Sequence, residues 1–173
     1  MMSVRFAERV VLVAGGTGGL GRAVSLAFLE EAARVIVTYR NPGEFAALQS
    51  AAGASGSSHE GQRVDVTDEA ATHEFVKAVL AKHGHLDVLV NTVGGYAGGA
   101  KLWESDTKVF DQMLAVNLRP GLILSRAVVP AMLEAKHGAI VNVASKAAVD
   151  HAGVASAYAA SKAAALALID SPA

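Results

Sequence analysis

An α/β fold built on a parallel sheet follows from three observations. Short apolar runs rich in β-branched residues recur at residues 10–14, 34–39, 86–90 and 139–144. Segments with a helical apolar period separate them, and strands alternating with helices in this way pair in parallel. The runs are apolar at consecutive rather than alternate positions, which is the pattern of strands covered on both faces. At 173 residues the chain reads as one domain, 1–173, large enough to bury a core.

The first run, Val10 to Ala14, leads at once into Gly15-Gly16-Thr17-Gly18-Gly19-Leu20-Gly21 and then a helix over residues 19–33. Leu20, Val24, Ala27 and Phe28 fall on one stripe of that helix, which is expected to face inward. Strand, glycine-rich turn and helix together make a phosphate-binding arrangement, because absent side chains let backbone N–H groups and the helix N-terminus approach a pyrophosphate. Gly16, Gly18 and Gly21 fit G-x-G-x-x-G, and Gly15, Gly19 and Gly21 fit a wider G-x-x-x-G-x-G. The nucleotide-binding P-loop is excluded, since Arg22-Ala23 stands where Lys-Ser/Thr is needed. A tight turn alone also uses glycine, but placement between a buried strand and an amphipathic helix favours the phosphate site.

Residues 34–39 form the second strand, which ends Thr38-Tyr39-Arg40-Asn41. An acid at this point would hold a ribose 2′-hydroxyl. Arg40 suits a 2′-phosphate instead, by paired hydrogen bonds from its guanidinium. NADP(H) is therefore the favoured cofactor, with NAD(H) possible; an ordinary exposed arginine is the alternative. A helix over 42–52, a loop over 53–58 and a third strand over 62–66 follow. Thr67 or Asp68 caps a helix running to Lys82.

The fourth strand, 86–90, ends in Asn91-Thr92-Val93-Gly94-Gly95, and residues 96–105 form a loop beside the expected cleft. One long helix is expected over 106–136, bent at Pro120. Asn117, among apolar neighbours in that helix, needs hydrogen-bond partners, whether as a core amide or as a catalytic group.

The fifth run, 139–144, places Ser145 at the carboxyl end of a strand, where α/β folds hold ligands. Tyr158 and Lys162 then share one helix face, being four residues apart. A free phenol, with a pKa near ~10, is a poor proton donor at neutral pH, and an adjacent ammonium favours its anion. The pair thus suits general acid–base catalysis.

Composition limits the alternatives. A net charge of −1 without a basic stripe gives no sign of nucleic-acid binding. The absence of cysteine excludes disulfides and thiolate metal sites and suits a reducing interior. The six histidines show no metal-ligand spacing. The amino end lacks a signal-peptide core, and no apolar run reaches the ~20 residues needed to span a bilayer. A cytoplasmic location is the expectation.

In their order and spacing these segments resemble the short-chain dehydrogenase/reductases, notably the 3-oxoacyl-(acyl carrier protein) reductase-like members, over nearly the whole chain. Residues 14–21 resemble the family's T-G-x-x-x-G-x-G with Ala14 in place of the opening Thr, and Asn91-Thr92-Val93-Gly94 resembles N-N-A-G with two changes. Asn117, Ser145, Tyr158 and Lys162 match the catalytic tetrad at the family's spacings.

The resemblance implies a Rossmann-like doubly wound sheet of order 3-2-1-4-5, with cofactor contacts from Gly15, Thr17, Gly18, Gly19, Leu20, Gly21, Arg40, Asp65, Val66, Asn91, Val93 and Gly94. Asp65 would receive the adenine amino group. Ser145 would hydrogen-bond the oxygen of a carbonyl/alcohol substrate and Tyr158 would exchange its proton. Lys162 would hold the nicotinamide ribose, and Asn117 a relay water. It also implies a homodimer or homotetramer through the helices at 106–136 and 155–168.

The family's sixth and seventh strands and substrate-covering segment have no counterpart before Ala173. The domain is thus expected to be carboxyl-terminally incomplete, with the fifth strand as a hydrophobic edge. A fragment, a frame-shifted product and a natural short form all fit. A non-catalytic nucleotide-binding or subunit-pairing role stands as the alternative function. Substrate identity stays open between a 3-oxoacyl thioester, a sugar, a steroid and a simple ketone.

Overall fold

The computed structural model describes residues 4–53, 59–150 and 153–170. Five parallel strands form one sheet in the order β3-β2-β1-β4-β5. They are β1 (Val10–Ala14), β2 (Arg34–Tyr39), β3 (His59–Arg63), β4 (Val88–Asn91) and β5 (Ala139–Asn142). The helices are α1 (Gly19–Glu30), α2 (Pro42–Ala52), α3 (Glu69–His83), α4 (Thr107–Asn117), α5 (Arg119–Ala135), α6 (Ala147–Asp150) and α7 (Ser156–Asp170).

All five residues of β1 are buried, and successive side chains serve opposite layers. Val10, Leu12 and Ala14 join Phe75, Val76 and Val79 of α3 and Leu124 and Val128 of α5. Val11 and Val13 join Leu29 of α1 and Leu48 of α2. The central strand thus holds both cores, which explains its uninterrupted apolar sequence. At the far side β5 pairs only with β4 among the described residues, and Val141 is 50% exposed, so the expected apolar edge is present there. The fold class follows the sequence closely.

Several boundaries do not. The third strand is His59–Arg63 rather than 62–66, because its ladder with β2 starts with His59 opposite Val35. That polar strand is covered by aromatic rings. Phe45 stacks on Tyr39 at 4.7 Å, and its ring edge lies 2.2 Å from where a Cβ on Gly61 would stand. Val64 and Val66 are buried beyond the strand, in the passage to α3.

The single helix expected over 106–136 is two helices that part at Leu118 (φ −103°, ψ −53°). Pro120 lies in the first turn of α5, where its missing N–H leaves no bond unmade. It starts a helix instead of bending one. Leu20 is 53% exposed, not inward, and the buried stripe of α1 is Gly21, Ser25 and Leu29. The expected loop at 96–105 contains a 3₁₀ turn, Leu102–Glu104. Residues 54–58 of the expected 53–58 loop lie outside the described residues.

Asp87, 5% exposed, ties three strands together at the end of the sheet remote from the glycine turn. Its main chain binds Val10 and Ala139. Its carboxylate accepts from the Val10 N–H at 2.8 Å and the Arg9 guanidinium at 2.7 Å. Burial pushes this carboxyl up, but the Val10 N–H, the Arg9 hydrogen bond, and the charges of His85 and Arg9 outweigh it and hold it below the ordinary value. The folded carboxyl therefore releases its proton more readily than the unfolded one. Its contribution is complete above the ordinary carboxylate value of ~3.9 and is lost as pH falls through the lower, folded value. Asp87→Ala is expected to lower unfolding free energy by about 2–3 kcal/mol at neutral pH, measured by urea denaturation. The gap to wild type is expected to narrow in acid.

Candidate active site

The glycine turn closes against itself at the carboxyl end of β1. Gly15 adopts φ +72°, and a Cβ on Gly21 would stand 2.1 Å from the Gly15 carbonyl oxygen, so no side chain fits there. Three neighbours hold the turn. The Gly15 N–H donates to Thr38 Oγ1 at 3.0 Å. The Thr92 hydroxyl donates to the Ala14 carbonyl at 2.7 Å, with Gly15 O at 3.2 Å. Ser25 Oγ donates to Gly21 O at 2.8 Å. Gly18 caps α1 without any side-chain hydrogen bond, leaving first-turn N–H groups for an anion.

From this turn a cleft runs over the carboxyl ends of the strands, from Asp65 after β3 past Arg40 after β2 to Gly94 after β4. Among the sequence-predicted residues, Gly15, Thr17, Gly18, Arg40, Asp65, Val66, Val93 and Gly94 line it. Gly19 and Leu20 lie exposed at the start of α1, and Gly21 is buried beneath the turn. Asn91, 2% exposed, is also behind the lining. Its Nδ2 donates to Asn142 Oδ1 at 2.6 Å, and its Oδ1 accepts from the Val93 N–H at 3.1 Å, so it fixes the path of Val93 and Gly94.

Asp65 Oδ1 accepts from the Thr67 N–H at 3.0 Å and the Thr67 hydroxyl at 2.7 Å. These bonds, and more weakly the Arg40 guanidinium, hold its carboxyl below the ordinary range against the opposing effect of burial. Glu44, in the first turn of α2, accepts from Thr17 Oγ1 at 2.9 Å and also lines the cleft. Neither Glu44 nor Thr38 was in the predicted site. Both lie outside the glycine motif, and only the fold brings them to it.

At the other end, Lys162 of α7 is 5% exposed and donates from Nζ to the Val143 carbonyl at 2.9 Å. Burial pushes its ammonium down from the ordinary lysine value. Asn117, 1% exposed at the end of α4, accepts from the Gly95 N–H at 2.9 Å and donates to Gly95 O and Ser161 Oγ, both at 3.0 Å. The amide thus joins the loop after β4 to α7. A Cβ on Gly94 would stand 2.9 Å from Asn117 Oδ1 and 3.3 Å from Lys162 Nζ, so both atoms converge beside Gly94.

Tyr158 lies one turn before Lys162, its ring edge-to-face with Tyr96 at 5.0 Å and 72°. Ser145 lies in the passage from β5 to α6, where its Oγ accepts from the Ala147 N–H at 3.3 Å. Its hydroxyl proton remains available to a ligand. The assembly can cradle a phosphate at the glycine turn, and it holds a buried ammonium beside Gly94 at the other end.

Comparison with known proteins gives this geometry a lineage. The short chain dehydrogenase family profile matches residues 9–173. A D-threitol dehydrogenase from Mycolicibacterium smegmatis is 37% identical over 144 residues, covering 83% of this chain and 55% of its own length. The structure of a metagenomic short-chain oxidoreductase in complex with NADP superposes with a TM-score of 0.87 at 34% identity, over 94% of this chain and 74% of the other. That of an NAD+-bound xylitol dehydrogenase superposes with a TM-score of 0.90 at 29% identity, over 95% and 63%. This chain therefore spans little more than half the length of the curated relative. It belongs to the short-chain dehydrogenase family.

Proposed function

We propose that the protein is an NADP(H)-using oxidoreductase that interconverts a carbonyl and an alcohol through Asn117, Ser145, Tyr158 and Lys162. The observation that carries this reading is the convergence of Asn117 and Lys162 beside Gly94, one helical turn from Tyr158, at the end of a glycine-walled cleft. The cradle fits a dinucleotide, since the space a Cβ would fill at Gly21 is closed while the N–H groups at the start of α1 stay free. Gly15, Thr17, Gly18, Gly19, Leu20 and Gly21 would form the pyrophosphate turn. Arg40 would meet a 2′-phosphate, Asp65 and Val66 the adenine, and Asn91, Val93, Gly94, Tyr158 and Lys162 the nicotinamide half. The nicotinamide, when bound, supplies hydride chemistry.

The chain's own residues supply position and the proton. Ser145 Oγ donates to the substrate oxygen and orients it. Tyr158 Oη gives that oxygen its proton on reduction and removes it on oxidation. Lys162 has one N–H bonded to Val143 O, leaving two for ribose hydroxyls and a proton path. Asn117 Oδ1, with one lone pair given to Gly95, keeps the other for a water shared with Lys162. The polyol dehydrogenases among the relatives make polyols and their ketoses the first substrates to screen. Two copies would pair through α4, α5 and α7, which explains exposed Leu122 and Leu133 on α5.

Fluorescence titration with NADPH and NADH, followed by a carbonyl screen, tests the reading. Saturable NADPH binding is expected, and failure to bind either nucleotide would overturn it. Arg40→Asp is expected to move the NADPH/NADH affinity ratio towards NADH by about 10- to 100-fold, as loss of a charge-assisted phosphate contact implies. An unchanged ratio would remove Arg40 from the cofactor site.

A further inference from the structure

The adenosine end of the cleft carries a charge pattern that Arg40 alone does not explain. One guanidinium, Arg40, shares this lining with two carboxylates, Glu44 and Asp65. Asp65 is already bonded twice by Thr67 and lies within the field of Arg40. Arg40 therefore does not act as an isolated positive charge. Glu44 is placed differently. It projects from the first turn of α2 to the glycine turn and accepts a hydrogen bond from the hydroxyl of Thr17, itself only 7% exposed.

These facts have opposite consequences for the two ribose chemistries. A phosphate monoester presents acceptors only, and at neutral pH it is close to a dianion. To bind beside Thr17 it must compete for a hydroxyl proton that Glu44 holds, and it must approach the Glu44 carboxylate. A free 2′-hydroxyl has a proton of its own to donate to that carboxylate and carries no charge to be repelled. Arg40 favours the first chemistry and Glu44 the second.

We propose that Glu44 is a second specificity-determining residue, which works against the 2′-phosphate and lets the protein accept NAD(H) beside NADP(H). This rests on the cofactor reading above. It assigns the balance between the two dinucleotides to Arg40 together with Glu44, which holds Thr17 and shares the same cleft, and not to the residue at the end of β2 alone.

Adenosine fragments test the point without involving the nicotinamide half or turnover. 2′,5′-ADP carries the 2′-phosphate and 5′-AMP lacks it; both are titrated calorimetrically into wild type, Glu44→Gln and Glu44→Ala. Glu44 is an exposed helix residue, and thermal melts confirm that each variant is folded. Either substitution is expected to tighten 2′,5′-ADP relative to 5′-AMP by about tenfold, with the gain shrinking as salt is raised. The NADPH/NADH affinity ratio should rise in parallel. Wild-type binding of both fragments with an unchanged ratio in both variants would overturn the role of Glu44 and leave the cofactor reading standing. Failure of wild type to bind any of the four nucleotides would overturn the cofactor reading itself, and the Glu44 inference with it.

Discussion

Tyr158→Phe is expected to lower turnover by about 10³-fold while leaving NADPH affinity within about twofold of wild type. The substitution removes one oxygen and little else. The ring keeps its edge-to-face contact with Tyr96 at 5.0 Å, and the helix that carries it is held elsewhere. Ser161, three residues on, bonds Asn117, and Lys162 bonds Val143. No rearrangement of α7 is therefore expected, and the thermal midpoint should stay within about 2 °C. What is lost is the phenol proton of the proposed acid–base step. Under the proposed mechanism a developing alkoxide would then keep the Ser145 hydroxyl but lose the phenol that gives it a proton. Nucleotide titration followed by single-turnover oxidation of NADPH, with whichever carbonyl wild type reduces, separates binding from chemistry. Turnover near the wild-type rate would remove Tyr158 from the acid–base role.

The sheet was legible because its determinants are local. Val10 to Ala14 announces a strand buried on both sides, and each residue does join one of two cores. The glycine turn was legible for the same reason, since a closed turn between a strand and a helix is a short-range constraint. The misreadings come from long-range ones. Leu20 has the helical spacing of an inward residue, but α1 enters with Gly21 packed against the Gly15 carbonyl. That contact sets the helix's rotation and turns Leu20 outward. His59 to Gly61 looks like loop sequence and becomes strand because β2 offers partners and Phe45 offers cover.

Asn117 could be recognised as needing partners, but not that Gly95 and Ser161 are those partners, 22 and 44 residues away. Glu44 was invisible for a related reason. Nothing in Asn41-Pro42-Gly43-Glu44 marks a site until the fold brings it to Thr17, 27 residues earlier. The glycine motif therefore located one end of the cleft, and tertiary pairing decided which other residues line it.

Lys162→Met is expected to lose about 10²- to 10³-fold in turnover without losing stability at neutral pH. The lysine is 5% exposed and carries its charge where burial disfavours it. Its hydrogen bond to Val143 O at 2.9 Å returns part of that cost. Methionine fills similar space without a charge, and it forfeits one hydrogen bond worth about 1 kcal/mol. The two effects oppose each other, so the melting temperature at pH 7 should equal or exceed that of wild type.

The pH dependence fixes the sign. The folded ammonium gives up its proton more readily than a free lysine, so the cost of burying charge is complete below the folded pKa. It fades as pH rises through that value towards ~10.4. Any advantage of the methionine variant should therefore shrink as pH is raised towards 10. A lysine held against its own burial cost fits the proposed role in chemistry, which links the stability measurement to the kinetic one. If Lys162→Met melted well below wild type at pH 7, the ammonium would be a structural strut between α7 and the end of β5, and its loss of turnover would need no catalytic explanation.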